Sequence, residues 1–443
     1  MMVSGSYQVK IKTGGVKSAV CKTVCEPYYP PMEAVKLLAL FIAIVIALRL
    51  RVSVGVTLFG AGLLTALLYM IPISSLLEIY RELVVSERFL TLTGIIILIT
   101  IMGALLKELG YLERLTHIST QLIGGKRTAA VTLPMMVGLM PMPGGALLSA
   151  PLVDNVLSDK KYKPDFKCAV NYYWRHTVEH FMPIYPGIIV VAGMTGLPFG
   201  TIGVLHLPLA LVMMGLGLVF FARHIEPGER GKGGVGKTLF EIISTIWPIV
   251  FIIAVYAIFD LNIAISALIA LLALIVVTRP TANKLVRSLK QGLTYKLVFL
   301  VFGILSFQAI LDQSGAVGGL QKLATDYHFP VEAIIFVVAF TSGLLTGMLA
   351  ALVALSYSLL AGFLYQPEII PSNLVWAFIS GYVGMMVSPT HLCFTLTNEY
   401  FQSDLLKVIR KMAIPLTILL LFGLLLSWSG WPELVIHRWA GIG

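Results

Sequence analysis

Long apolar stretches, separated by short polar or basic connections, follow one another from residue 33 to residue 429. Most are about 18 to 25 residues long, enough for a helix to cross a hydrocarbon core of roughly 30 Å. Reading each stretch between its helix breakers predicts ten membrane crossings. They are 33–50, 53–72, 89–107, 169–196, 201–222, 239–260, 262–278, 296–313, 373–400 and 410–429.

Two further apolar stretches are interrupted in the middle. The first, 128–157, is broken by Pro-Met-Pro-Gly-Gly at 141–145, and the second, 333–365, is broken at Thr346 and Gly347. Proline and glycine stop a regular helix. Each stretch is therefore interpreted as a helix, a tip and a returning helix, which together form a re-entrant hairpin that does not cross the membrane.

With two re-entrant hairpins, the basic connections all fall on one side, which the positive-inside rule assigns to the cytoplasm. These connections are 49–51, 107–127, 160–167, 223–237, 279–296 and 407–411. The opposite connections are short or poor in lysine and arginine: 73–88, 197–200, 261, 314–332 and 363–372. The sequence thus predicts a multi-pass protein of the inner (cytoplasmic) cell membrane.

The two halves of the chain are predicted to be copies. A shift of 205 residues aligns Gly138-Leu139 with Gly343-Leu344, and a shift of 206 aligns Pro183 with Pro389. Each copy has five crossings, an odd number, so the second should lie upside down relative to the first.

The predicted organisation is a tail at 1–31, repeat 1 at 32–223, a cytoplasmic loop at 224–238, repeat 2 at 239–430 and a second tail at 431–443. The first tail lacks the apolar core of a signal peptide. It is interpreted as disordered, or as a mis-assigned start with Met32 as the true first residue.

Composition agrees with a membrane protein. Hydrophobic residues make up 58% of the chain and charged residues 12%, and the mean hydropathy is +0.90, outside the range of a soluble domain. The net charge of +10 lies in the connections, so nucleic acid is not an expected partner. The four cysteines predict no disulfide framework, and no cofactor is expected.

The hairpin tips are the first candidate binding elements, because unpaired backbone groups at membrane depth must line a polar cavity. Glycine lets a ligand approach the backbone, and a helix that starts at a tip offers its N–H groups to an anion. The candidate residues are Pro143, Gly144, Gly145 and Ser149 in the first hairpin and Thr341, Ser342, Gly343 and Thr346 in the second.

The crossing after the first hairpin carries an unusual set of ionisable residues ahead of Pro183. Such residues in a membrane helix normally mark a transport path. Spacing i, i+4 places Arg175 with Glu179 and His176 with His180 on neighbouring helix faces. Arg175 and His180 are candidates for a substrate carboxylate, and Pro183 is a further candidate for substrate binding. His176 and Glu179 are candidates for titration with coupled protons. The alternative is a structural ion pair between Arg175 and Glu179.

The matching crossing in the second half is broken by Pro389. Freed carbonyls, with the hydroxyls of Ser388 and Thr390, suit a small cation or substrate oxygens, and the alternative is a proline kink solvated by these side chains. Candidates for substrate binding are Ser388, Pro389, Thr390 and His391, and those for ion coupling are Asn398 and Glu399.

Two short motifs suggest different functions. Residues 231–238, GKGGVGKT, match the phosphate-binding loop pattern but lack the preceding strand of a nucleotide-binding domain, so no nucleotide is expected. Residues 176–180 match the H-x-x-E-H pattern of zinc peptidases, which makes an intramembrane peptidase the competing enzyme class. That class needs a third metal ligand from elsewhere, and none is predicted.

The order of three crossings, a hairpin, a broken helix and a crossing, twice over with inversion, resembles the ion-transporter superfamily, which includes gluconate permeases and citrate and dicarboxylate transporters. The stretches 140–151, 175–187 and 384–400 look most like an uncharacterised integral-membrane family within it. The Ser-Asn-Thr tips of the dicarboxylate branch are replaced by Pro-Met-Pro-Gly-Gly and Thr-Ser-Gly.

The resemblance implies an elevator motion of hairpins and broken helices past a scaffold that often dimerises. The expectation is therefore an all-α membrane protein that is not an enzyme, a secondary transporter of a small organic anion such as a carboxylate, coupled to H+ or Na+. A channel, or a membrane scaffold without transport activity, would also agree with the apolar pattern.

Overall fold

The fold is known from a computed structural model that describes residues 30–50, 52–111, 114, 118, 125–139, 145–228 and 235–439. Every regular element in these ranges is helical, as the apolar pattern predicts. The tail at 1–29, with Cys21 and Cys25, and four of the residues of the phosphate-loop pattern, 231–234, lie outside the described residues.

Nine α-helices are described in the first half of the chain. They are α1 (Pro30–Arg49), α2 (Val54–Leu68), α3 (Ile73–Val85), α4 (Glu87–Glu108), α5 (Lys126–Gly138), α6 (Ala146–Val156), α7 (Pro164–His176), α8 (Pro186–Thr195) and α9 (Phe199–Phe220), followed by a 3-10 turn at Ala222–His224.

Twelve α-helices are described in the second half. They are α10 (Val235–Phe259), α11 (Ile263–Thr278), α12 (Ala282–Gly292), α13 (Tyr295–Ser314), α14 (Ala316–Asp326), α15 (Val331–Thr346), α16 (Leu349–Leu359), α17 (Ala361–Leu364), α18 (Pro371–Met386), α19 (Leu392–Phe401), α20 (Leu405–Trp428) and α21 (Trp431–Trp439).

Five helical segments among the described residues are long and apolar enough to span a membrane. They are Glu87–Glu108, Phe199–His224, Phe240–Phe259, Ala282–Ser314 and Leu405–Trp428. Shorter apolar helices occupy several of the remaining predicted crossings, for example Val54–Leu68 and Ile263–Thr278. The chain is thus membrane-like and all-helical, and the number of ten crossings stays a prediction.

Both interrupted apolar stretches fold as a helix followed by a packed returning helix. In the first, α5 packs against α6, and the tip residues 140–144, including Pro143 and Gly144, lie outside the described residues. In the second, α15 packs against α16, and Gly347 ends α15 with a left-handed φ of 58°. Only Gly347 and Met348 separate these two helices, so the predicted break at Thr346 and Gly347 is confirmed.

An ion pair lies at the base of the first hairpin. The Lys126 ammonium donates to the Asp159 carboxylate at 2.5 Å. This hydrogen bond raises the pKa of Lys126 and lowers the pKa of Asp159.

The two proline-containing crossings that follow the hairpins are each divided into two helices. Residues 177–185 separate α7 from α8, and residues 387–391 separate α18 from α19. Proline cannot donate to the carbonyl four residues earlier and disfavours helical geometry at the residue before it. The first break begins six residues before Pro183, so it is longer than a single proline kink.

Several segments predicted as connections contain helices instead. Helix α3 lies within 73–88, α12 within 279–296 and α14 within 314–332, and α21 forms part of the C-terminal tail. Helix α12 is amphipathic and packs on α4. An amphipathic helix of this length has too few apolar residues to register as a crossing, which is why the hydropathy pattern missed it.

Packing joins the two halves rather than separating them. Helix α2 packs on α13, and α4 packs on α11. The returning helix of each hairpin packs against the break-following helix of the opposite half, so that α6 contacts α19 and α16 contacts α8. The core of the protein is therefore built from both halves.

Each hairpin also packs tightly on the interrupted helix of its own half. Helix α5 contacts α7, and α15 contacts α18. A Cβ atom at Gly138 would lie 2.2 Å from the carbonyl oxygen of Arg175, and a Cβ atom at Gly343 would lie 2.0 Å from that of Gly381. Backbone meets backbone at both points, so neither position has room for a side chain.

Replacing Gly343 by alanine should destabilise the fold by about 1–3 kcal/mol, because the added methyl group forces α15 and α18 apart. The measurement is the thermal unfolding midpoint of the purified protein in detergent. Gly215→Ala, in the interior of α9, is the matched control, since its added Cβ meets nothing within 4 Å. Equal midpoints for the two variants would contradict the close approach.

Candidate functional site

The two interrupted helices meet at their breaks. The Nε2 atoms of His176 and His391 lie 3.1 Å apart, although the residues are 215 positions apart in the chain. His176 is the last residue of α7, and His391 immediately precedes α19. Both side chains are buried. The sequence predicts both histidines as site residues, but no local pattern predicts that they touch.

Two tyrosines tie the broken ends together. The Tyr382 hydroxyl donates to the carbonyl of His176 at 2.9 Å, and the Tyr172 hydroxyl donates to the carbonyl of Met386 at 3.2 Å. These carbonyls belong to the last residues of α7 and α18, where a helix leaves acceptors without intrahelical partners. Each interrupted helix thus supplies a hydrogen bond to the end of its counterpart.

A buried ion pair lies in the first break. The Arg175 guanidinium is 3.7 Å from the Glu179 carboxylate, and the same carboxylate lies 3.8 Å from Nε2 of His176. Arg175 is 2% exposed and Glu179 is 6% exposed, so both charges are removed from solvent. Desolvating a pair of charges is costly, and the gain in attraction seldom exceeds that cost. Such a pair in a membrane-like interior is therefore a candidate for function.

His180 faces a different environment from His176. Its Nε2 lies 3.2 Å from the sulfur of Met213, and its ring centroid lies 4.1 Å from that of Tyr382. Because α7 ends at His176, the helical i, i+4 relation between the two histidines is lost. His206, which sequence reasoning missed, stacks on Phe378 with centroids 4.0 Å apart and extends this second buried group.

The tip of the second hairpin lies on the second break. Ser388 donates through Oγ to the carbonyl of Leu344 at 2.6 Å, and Thr390 donates through Oγ1 to that of Leu345 at 3.2 Å. These bonds satisfy carbonyls at the end of α15. Ser388 is buried, whereas Pro389 and Thr390 are exposed. The predicted residues 388–391 are thus brought directly against the predicted tip.

The hydroxyl groups at this tip already use their protons. Thr341, Ser342 and Thr346 each donate to the carbonyl four residues earlier, at 2.6, 2.7 and 2.8 Å. A hydroxyl that donates within its own helix keeps only lone pairs to offer a ligand. Each of these oxygens can therefore ligate a cation but cannot donate to an anion.

Asn171 connects the first hairpin to the site. Its Nδ2 donates to the carbonyl of Ala146 at 3.1 Å and lies 3.4 Å from Oγ1 of Thr397. Gly145 precedes α6, and the buried Ser149 donates to the same Ala146 carbonyl at 3.2 Å. Sequence reasoning missed Asn171, which lies four residues before Arg175 and so on the same helix face.

The remaining predicted residues are less central. Pro183 lies in the first break, and Tyr185 in the same break donates to the carbonyl of Gly138 at the end of α5. Asn398 accepts a hydrogen bond from Ser403 at 2.6 Å, and Glu399 is exposed. Both lie about 10–12 Å beyond His391 along α19, given a rise of 1.5 Å per residue. Their proposed role in ion coupling stays a prediction.

Comparison with known proteins gives a family but no activity. The family described as "Protein of unknown function (DUF401)" matches residues 33–428, from the first apolar helix to the last residue of α20. No curated protein matches the chain.

The cross-bonding tyrosines make a specific prediction. Tyr172→Phe keeps the ring that stacks on Phe394 but leaves the Met386 carbonyl without its hydroxyl donor. The free energy of unfolding should fall by about 1–3 kcal/mol, because a buried acceptor is left without a donor. The measurement is the thermal unfolding midpoint in detergent, which should be lower than that of the wild type. Tyr295→Phe, at a largely exposed position, is the control, and an equal midpoint for both variants would refute the role of this bond.

Proposed function

The chain belongs to the DUF401 family, and we propose that it is a secondary active transporter of a small organic anion, a carboxylate, coupled to H+ or Na+. One observation carries the proposal. Two interrupted helices, one from each half of the chain, meet at their breaks. The buried ion pair of Arg175 and Glu179 and the adjacent histidines His176 and His391 lie at this meeting point.

Interrupting a helix inside a membrane costs free energy, and a transport site is a common reason for such an interruption. In hydrocarbon each unpaired backbone group costs several kcal/mol, so non-helical backbone is tolerated only inside protein or along a polar cavity. A single break is commonly a proline kink. Two breaks in contact form a polar region between apolar helices, which is the usual setting of a binding site in a secondary transporter.

The charge distribution favours an anion as the substrate. Arg175 carries a permanent positive charge that is suited to bidentate pairing with a carboxylate. Helices α8 and α19 begin at the two breaks, and α6 begins at the first hairpin tip. Their N-termini add N–H donors and positive partial charge. Glu179 neutralises Arg175 in the absence of substrate, so an incoming carboxylate would compete for the guanidinium.

Two sets of groups are candidates for the coupling ion. Glu179 and His176 are within 3.8 Å of each other and can exchange protons with a transported species. The lone pairs of Thr341, Ser342 and Thr346 suit Na+. We propose one of these two ions and expect the pH and sodium dependence of uptake to identify which.

The packing supports a duplicated architecture. A shift of about 206 residues relates α4 to α13, α7 to α18 and α8 to α19. The same shift relates the close approach of Gly138 and Arg175 to that of Gly343 and Gly381. It also relates the contact of α6 with α19 to that of α16 with α8. We therefore propose two inverted repeats.

On this proposal the protein belongs to the ion-transporter superfamily with gluconate permeases and citrate and dicarboxylate transporters. The hairpins and interrupted helices would then move together as an elevator domain past a scaffold built from the remaining helices, in a homodimer of the inner membrane. The dense contacts among hairpins and broken helices support movement as one unit.

The alternative of a zinc peptidase receives less support. Its motif would gather His176, Glu179 and His180 around one ion, whereas His180 here contacts Met213 and Tyr382. The peptidase arrangement would require the first break to be rebuilt as a continuous helix.

Thermal-shift screening of the purified protein against a panel of small carboxylates, with and without sodium at two pH values, tests the function. We expect at least one carboxylate to raise the unfolding midpoint and to be taken up by proteoliposomes under a proton or sodium gradient. Absence of stabilisation and uptake across the whole panel would refute the proposal.

Paired variants separate binding from structure at Arg175. Arg175→Gln should abolish uptake but leaves Glu179 as an unpaired buried charge, which itself destabilises the protein. The double variant Arg175→Gln with Glu179→Gln removes both charges and should recover stability while uptake stays at least tenfold below wild type. Wild-type uptake by the double variant would show that the pair is only structural.

A further inference from the structure

Three metal-ligating atoms converge where the two breaks meet. The Nε2 or Nδ1 atoms of His176 and His391 and the Sγ atom of Cys393 lie within 4.8 Å of one another, and all three residues are buried. His176 comes from the first half of the chain, and the remaining two come from the second. We propose that these residues form a binding site for a divalent transition metal ion of the zinc type.

The hydrogen bonding of His176 prepares it as a ligand. Its Nδ1 lies 2.6 Å from the carbonyl oxygen of Tyr172. A carbonyl oxygen can only accept, so Nδ1 carries the proton, and Nε2 of the neutral ring directs its lone pair toward Nε2 of His391. Metal-ligating histidines commonly donate their second ring nitrogen to a carbonyl in this way, which fixes both tautomer and ring orientation.

The spacing of the two imidazoles also fits a metal. Two nitrogen ligands at 2.0–2.1 Å from one ion, with an angle between 90° and tetrahedral, are separated by about 2.9–3.4 Å. The Nε2 atoms of His176 and His391 are 3.1 Å apart. In a tetrahedral site the sulfur of Cys393 would lie about 3.5 Å from each nitrogen. The three atoms now lie within 4.8 Å of one another, so a movement of little more than about 1 Å would complete the site.

The donor set selects the kind of ion. Two imidazoles and a thiolate favour borderline-soft ions such as Zn2+ and Co2+ over Mg2+ and Ca2+, which require oxygen ligands. Three protein ligands leave one tetrahedral position for water or for an oxygen of a small molecule. The site differs from the H-x-x-E-H pattern, because His391 and Cys393 replace His180.

Cobalt is the probe for the test, since Co2+ bound by a thiolate gives a near-ultraviolet charge-transfer band and a tetrahedral site gives strong visible bands. The full chain, with any affinity tag removed and with Cys21 and Cys25 changed to serine, is stripped with chelator and titrated. We expect one Co2+ per chain, with the charge-transfer band, and displacement by one Zn2+.

Variants locate the ion. Cys393→Ser should lose the charge-transfer band and weaken Zn2+ binding at least tenfold, and His391→Gln should weaken it similarly. Cys168→Ser is the matched control, because Cys168 is the second free, buried cysteine among the described residues and lies outside the cluster, so it should keep both the band and the affinity. His206→Gln gives a further control at a buried histidine.

The proposal fails if folded wild-type protein shows no charge-transfer band, or if the band persists in Cys393→Ser. It also fails if Cys168→Ser loses the band as completely as Cys393→Ser does. Metal binding is measured without any transport assay, so this inference is tested separately from the proposed transport function. A bound ion would occupy Nε2 of His176 and would leave Glu179 as the group that exchanges protons. Carboxylate uptake by protein without a metal site would refute only the inference, and a metal site without uptake would refute only the transport function.

Discussion

The backbone groups exposed where α7 and α18 stop are the constraint on which the centre of this protein depends. In a membrane-like interior no bulk water satisfies them, so each must find a partner within the protein. Each helix supplies a donor to the other: Tyr382 of α18 donates to the carbonyl at the end of α7, and Tyr172 of α7 donates to the carbonyl at the end of α18. The breaks consequently have to lie side by side, which also brings His176 against His391.

The packing of the hairpins on the interrupted helices serves the same need to pair buried backbone groups. The first helix of each hairpin can cover an interrupted helix only if the two backbones approach closely, and Gly138 in α5 and Gly343 in α15 provide that approach. Ser388 and Thr390 then satisfy carbonyls at the end of α15 that lack an intrahelical partner, and Asn171 donates to the Ala146 carbonyl at the start of α6. The result is a region in which polar groups are concentrated at the middle of an otherwise apolar helical fold.

Local sequence signals predicted the helical, membrane-like character of the chain and several of its helix breaks. Long apolar runs gave the helices, and proline and glycine marked the second hairpin tip and both interrupted helices. Contacts across long sequence distances were not predictable, because nothing near His176 indicates His391, Cys393 or Tyr382 as neighbours. The length of the first break was also missed: it starts at Thr177, where the i, i+4 spacing of His176 and His180 suggested a continuing helix. Helices α3 and α12 were missed because they are amphipathic rather than uniformly apolar.

On the proposed function, the region where the two breaks meet is a transport site that is reachable from each side of the membrane in turn. The test introduces a cysteine at Thr390, which is exposed beside the buried His391, in protein whose Cys21 and Cys25 are changed to serine. The native Cys168 and Cys393 are buried and give the background. Oriented vesicles of each sidedness are treated with a membrane-impermeant thiol reagent. Labelling from both sides, slowed by a transported carboxylate, is the predicted result. A transport site at this position would be contradicted by labelling from one side only or by no labelling, in either case without any effect of a carboxylate.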